Sequence, residues 1–361
     1  MPPSLSTIPE EERLGYLLVF GIRYRKFGAT NNPVRADTVD KALLAVGEGI
    51  SDLDVPDPPK KSEHSDQLHP LLADFLSAMR REDDPQTRAY PVNVTILRSL
   101  RDALDLQHPR DGVLNQHVID LIIVAFFWLL RPAEYTYSQT PEARSQAFLF
   151  RHIHLTIDDT IYCAPEAPLN DSNSIGRIRN ATLMFDDQKN ATRGEQVGHR
   201  ATNDPFFCPA KALGRIARRL KLAGAPPDTP IYKHYNPRCG YQGWYDVKSS
   251  FVTNALRHAA QDCATLTGIA PELLSARSLR PGGATALLCA GVDSSAVQLL
   301  GRWKSDTMLR YLHIQAAVCA HHYSQQMLEH GSCTFHPHAP QTPFRTRLRP
   351  RSSHSFLDQL L

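Results

Sequence analysis

With 361 residues, 42% of them hydrophobic, the chain is long enough to bury a full core and to divide into two domains. Forty basic against 37 acidic side chains leave a net charge of +3, so any surface for nucleic acid has to be local. Seven cysteines scattered from Cys163 to Cys333 with no Cys-x-x-Cys pair argue against a disulfide framework and point to free thiols in an intracellular, reducing setting.

The opening "MPPSLSTIPEEERLG" lacks the basic-then-apolar pattern of a signal peptide. Residues 10–27 and 37–50 read as helices, the second with Asp37 and Thr38 as caps before Leu43, Leu44 and Val46. The polar, proline-bearing "DLDVPDPPKKSEHSD" interrupts them. In "HPLLADFLSAMRRE", Leu71, Leu72, Phe75, Leu76 and Met79 then form one apolar stripe. "DDPQTRAYPVN" reads as a linker, giving a helical module over 1–88 and a larger unit over 92–330.

The larger unit opens with helices, and "VIDLIIVAFFWLLR", apolar nearly all round, predicts a central buried one, still too short to span a bilayer. The period then changes: "HIHLTIDDTIYCA" alternates about an Asp-Asp turn and "ATLMF" supplies a further strand, predicting a small antiparallel sheet between 150 and 200. In "CPAKALGRIARRLKLAG" the helical period puts Lys211, Arg215, Arg218 and Arg219 on one face and Leu213, Ile216, Ala217 and Leu220 toward the core. The Pro-, His- and Arg-rich segment 331–361 reads as a disordered tail. The fold class expected is therefore mainly α with a small antiparallel β-sheet.

Four places carry polar groups that a purely structural chain has little use for. Arg131 ends the apolar helix in "WLLRPAEY", where Glu134 can pair with it; it either neutralises the helix dipole or grips an anion. In "SARSLRPGGATALLCAGV", Arg277 and Arg280 are three apart and share a face if helical, while Gly282 and Gly283 allow close backbone approach, as a phosphate-binding turn requires. The same run supplies Ala284, Leu287, Leu288 and Val292 as a core face. In "LLGRWKSDTMLRYLHIQ", Arg302, Lys304 and Arg310 surround Trp303 and Tyr311, and cationic neighbours favour a tyrosine phenolate as nucleophile. Lys189, in a polar turn after a strand, is either a solvated hairpin lysine or an acid for a leaving oxygen.

Taken together, "LLRPAEY", Lys189 after a strand, "RSLRPGGATALL", "LLGRWKSD" and Tyr311 resemble, in order and spacing, the tyrosine recombinases, with Crypton- and DIRS-like transposon recombinases nearest. The resemblance spans about 92–330 and likens the helical module to that family's core-binding domain. It implies a DNA strand-exchange enzyme in which Arg131 and Arg280 clamp the scissile phosphate, Tyr311 forms a 3′-phosphotyrosyl link and Lys189 protonates the departing 5′-oxygen. It implies no metal or nucleotide cofactor, a homotetramer on double-stranded DNA, and the nucleus as workplace in a eukaryote. Lys211, Arg215, Arg218, Arg219, Arg302 and Lys304 are the expected contacts to DNA phosphates.

Two positions depart from the family pattern. Arg277 stands where a histidine is usual, and arginine can clamp phosphate but cannot act as a general base. The usual His or Trp stands nine before the tyrosine; Arg302 holds that place and Trp303 the next, so either residue can face the phosphate. A DNA-binding remnant without catalysis and a topoisomerase IB-like nicking and resealing enzyme are the alternatives. The histidines and cysteines from Cys319 to His338 lack the regular spacing of a zinc site, and Tyr323 lacks the basic cluster of Tyr311.

Overall fold

The computed structural model describes residues 9–51, 60–62, 65–84, 90–108, 111–144, 146–171, 173–186, 194–236 and 243–303. The chain forms two compact units, Met1–Arg88 and Ala89–Leu361. It is mainly helical with small antiparallel sheets.

In the first unit, α1 (Glu10–Phe27) and α2 (Ala36–Ser51) are followed by a two-stranded ribbon, β1 (Lys60–Ser62) and β2 (Ser65–Leu68), and by α3 (Pro70–Glu82). Leu14, Leu17, Val39, Leu43, Leu72, Leu76 and Met79 make its core. The apolar stripe expected on α3 is narrower than the sequence suggests, because Leu71 faces solvent one residue away from the buried Leu72. Asp83 ties the unit together by accepting hydrogen bonds from Arg25 and from the Ala36 backbone N–H.

The second unit begins with α4 (Val94–Ala103), capped by the Asn93 side chain, which accepts a hydrogen bond from the Ile96 N–H at 2.9 Å. Next comes α5 (Gly112–Phe127), buried along 117–126 as its composition predicts. It does not run on to Arg131. Leu129 takes φ 52°, a left-handed conformation that stops the helix, and Arg131 instead opens the single turn α6 (Pro132–Tyr135). A second short turn, α7 (Pro141–Arg144), leads into the sheet.

The sheet has strand order β4-β3-β5-β6, from β3 (Ile153–Ile157), β4 (Thr160–Cys163), β5 (Ile178–Phe185) and β6 (Glu195–Arg200). Ile157 pairs with Thr160, and Asp158 and Asp159 at φ 48° and 65° make the two-residue turn between them. Ile153, Leu155 and Ile157 alternate inward. β6 escapes sequence reading: "EQVGHR" is polar and its side chains stay exposed or half-exposed, as suits an edge strand.

Behind the sheet lies α8 (Pro209–Leu222), with Leu213, Ile216, Ala217 and Leu220 buried as its period requires. A small ribbon, β7 (Lys233–Tyr235) with β8 (Trp244–Asp246), precedes α9 (Ser249–Asp262) and the turn α10 (Ala264–Thr267). Last among the described residues come α11 (Leu279–Cys289) and α12 (Ser294–Gly301). On α11, Ala284 is fully buried, Leu287 and Leu288 are partly buried, and Val292 falls past the helix end and is exposed.

Candidate active site

Arg131, Glu134, Arg280, Arg302 and Trp303 converge beyond the end of α5. Glu134 is the hub. Fully buried, it accepts the Arg131 backbone N–H on Oε2 at 2.8 Å, the Arg131 guanidinium on Oε1 at 3.1 Å and the Arg302 guanidinium on Oε2 at 3.2 Å. Such charge-assisted bonds offset the desolvation of a carboxylate that no water reaches. The side chain of Arg131 stays one-quarter exposed, at 25%.

Arg302 is placed by an unusual backbone. It caps α12 at φ 57°, a left-handed conformation that a bulky residue adopts only when its surroundings compel it. The compulsion is visible: its guanidinium stacks 3.9 Å from the Phe185 ring centroid and donates to the Trp128 and Leu129 carbonyls at 3.3 and 3.4 Å. Burial pushes Arg302 down to about 10 and Glu134 opposes the shift, so it remains charged at neutral pH. The expectation that Arg302 lies on a DNA-facing surface is corrected: it is buried, and its charge is matched inside the fold.

Arg280 sits in the first turn of α11, buried, donating to the Gly301 carbonyl with its guanidinium carbon 4.5 Å from the Trp303 ring centroid. Trp303 packs on Leu129, Ala284 and Val297, and its ring folds over Gly301 so closely that a Cβ there would fall inside the ring. The three residues of "GRW" thus play separate parts, as clearance, left-handed cap and stacking plate.

Gly282 and Gly283 do not cradle an external phosphate. Both are buried, and added Cβ atoms would collide with the Val92 and Phe126 carbonyls. The backbone that approaches them is the protein's own, with the Val92 N–H donating to the Ser278 carbonyl. Arg277 and Arg280 also part company: Arg277 belongs to the turn Ala276–Ser278 and is exposed, whereas Arg280 is buried. That turn is fixed by Tyr135, whose hydroxyl donates to the Ala276 carbonyl at 2.9 Å and whose pKa burial raises.

Lys189, Lys304 and Tyr311 lie outside the described residues, as do Tyr323, the histidines and cysteines from Cys319 on, and segment 331–361. Among the described residues no group of three or more His, Cys, Asp or Glu is arranged to hold a metal ion, and no helix is long and apolar enough to cross a membrane.

The basic face expected on α8 is largely committed elsewhere. Asp120, a fully buried carboxylate on α5, accepts from Arg215 Nε and Nη2 at 2.8 and 2.6 Å on Oδ1 and from Arg219 on Oδ2. Arg219 Nε also donates to His117 Nδ1 at 3.2 Å, which leaves the proton of that neutral ring on Nε2. Arg215 and Arg219 therefore neutralise a buried carboxylate, a part that their reading as DNA contacts does not include. Among the described residues Arg218 donates only to main-chain carbonyls, and Lys211 is half-buried. The signal available in the sequence was the lone aspartate in "VIDLIIVAFF", which has to find a cation.

No protein-family model and no curated protein matches the chain. Among solved structures it is similar to the Tn1549 transposon integrase in complex with transposon right end DNA, at 12% identity over 91% of this chain and 88% of that one, with a TM-score of 0.46. It is also similar to the XerH site-specific recombinase bound to its difH substrate, at 14% identity over 91% and 71%, TM-score 0.45. A lambda integrase dimer bound to a COC′ core site aligns at 14% identity over 84% and 89%, TM-score 0.35.

Proposed function

We propose that the chain is a tyrosine recombinase of the Crypton- or DIRS-like kind, exchanging DNA strands through a phosphotyrosyl intermediate. The observation that carries this reading is the joining of Arg131, Arg280, Arg302 and Trp303, from three distant stretches of sequence, into one bonded cluster around Glu134 and Gly301. The three guanidiniums gathered about Glu134 and Gly301 are fixed in place before any substrate arrives, and such preorganised positive charge is what stabilises charge building on a phosphorus centre.

In this mechanism Arg131, the more accessible arginine, and Arg280 hold the non-bridging oxygens of the scissile phosphate. The Tyr311 oxygen bonds to phosphorus as the bond to the 5′-oxygen breaks, and Lys189 gives that oxygen its proton. The 5′-hydroxyl of a second strand then reverses the step. Trp303 acts as a plate that orients Arg280, and Arg302 is the internal counter-charge that holds Glu134. Arg277, exposed and permanently protonated, supplies phosphate contact but no base. The helical first unit embraces the duplex, four copies make the active assembly, and the work is done in the nucleus if the host is eukaryotic.

The test is incubation with a nicked duplex carrying the terminus of the chain's own element. A covalent protein–DNA adduct that disappears in Tyr311→Phe is expected. Salt-sensitive DNA binding with no adduct in the parent protein would instead establish the second reading, an inactive DNA-binding remnant. That reading is favoured by Arg277 in the histidine's place and by the commitment of Arg302 to Glu134.

A further inference from the structure

Arg215, Arg218 and Arg219 line a cleft of about 320 Å³ on α8, closed on one side by Ile175. Its charge does not balance. The two oxygens of Asp120 accept from Arg215, Arg219 and the Gln116 amide at 3.1 Å, and among the described residues no bond joins this carboxylate to Arg218. Among the described residues Arg218 reaches only the neutral carbonyls of Asp171 and Asn170, at 3.2 and 3.5 Å. The Asp171 carboxylate is turned into its own loop, accepting the Ser174 N–H at 2.6 Å.

Three guanidiniums thus share one buried carboxylate, and among the described residues none of their Nη1 groups donates to a protein acceptor. Burial and then the adjacent Arg215 and Arg218 press the Arg219 pKa down while Asp120 opposes them, a mutual repulsion that an incoming anion would relieve. Planar forks with outward N–H groups match tetrahedral oxyanions, and the volume is at the lower end of the range for small-ligand sites, roughly 300 Å³ upward.

We propose that this cleft binds a phosphate group, apart from the cluster at the end of α5. The group comes either from a free phosphate anion or from the backbone of bound DNA; the chemistry of recognition is the same. The site does not depend on Tyr311 or on catalysis.

The experiment titrates the full-length chain calorimetrically with inorganic phosphate at constant ionic strength, beside Arg218→Gln and Arg218→Lys. The parent binds, Arg218→Gln binds at least tenfold more weakly, and Arg218→Lys, which keeps the charge but not the fork, falls between. No binding by the parent, or equal affinity in Arg218→Gln, overturns the proposal. A second arm measures duplex affinity against salt. A slope lower by about one in Arg218→Gln assigns the phosphate to DNA, and an unchanged slope beside lost phosphate binding assigns it to the free anion. The adduct assay on the same Arg218→Gln protein reads the recombinase proposal separately, so the two can fail independently.

Discussion

The second unit builds the same device twice, with different mountings. Beyond α5, Glu134 holds Arg131 and Arg302, and Arg280 is attached one residue away at Gly301. Along α8, Asp120 holds Arg215 and Arg219 with Arg218 beside them. The α8 arginines come from successive turns of one helix packed on another, so their spacing is set by the helical repeat. The arginines around Glu134 come from a helix start, a helix first turn and a left-handed cap. Such positions are set by turns and by the stacking plates Phe185 and Trp303, and they depend on several parts of the fold at once. Regular mounting suits a charge that completes a core; turn mounting suits one that must meet groups from elsewhere in the chain.

The largest expected effect separates the two hubs. Glu134→Ala strands Arg302, whose side chain is only 3% exposed, and should cost about 3–5 kcal/mol in urea denaturation. Asp120→Ala should cost less, about 1–3 kcal/mol, because the side chains of Arg215 and Arg219 are 22% and 19% exposed and can turn to water. The reverse order would break the comparison.

A smaller effect per pH unit marks three histidines that burial holds neutral. Burial, and then Arg219, hold His117 well below its ordinary value and bring His234 to about 4; burial brings His199, near Trp128, to about 4 as well. All three are neutral in the fold at pH 7 and titrate near 6.5 once unfolded. The unfolded chain therefore binds more protons below 6.5, and stability is full above that pH and declines as pH falls toward 4. The slope should approach about 1.4 kcal/mol per pH unit for each histidine, and His234→Gln should remove one such share of it in pH-dependent denaturation. The smallest effect is that of Arg218→Gln: among the described residues Arg218 holds no carboxylate, and its loss should shift stability by under about 0.5 kcal/mol in the same measurement. A larger loss would make Arg218 part of the frame.

Much of the frame was legible because it rests on local rules. The face of α8, the buried run of α5 and the Asp158–Asp159 turn all follow from periodicity and turn chemistry. The strand β6 was not, since an edge strand needs no apolar alternation. The end of α5 was missed because "FFWLLR" has no Gly or Pro before Arg131, and only packing forces Leu129 to a positive φ. Placing Arg215 and Arg219 on one face was right, yet periodicity is silent on what lies opposite, and Asp120 lies opposite.

The sequence by itself determined the faces of α8 and α5, the hairpin about Asp158 and Asp159 and which arginines stand out of place in an apolar frame, because these depend on neighbours a few positions away. Only the tertiary structure decided which arginines are internal counter-charges and which remain available to a ligand. That choice is made by burial and by the partners that distant segments bring, and a charge taken out of water is held wherever an opposite charge meets it.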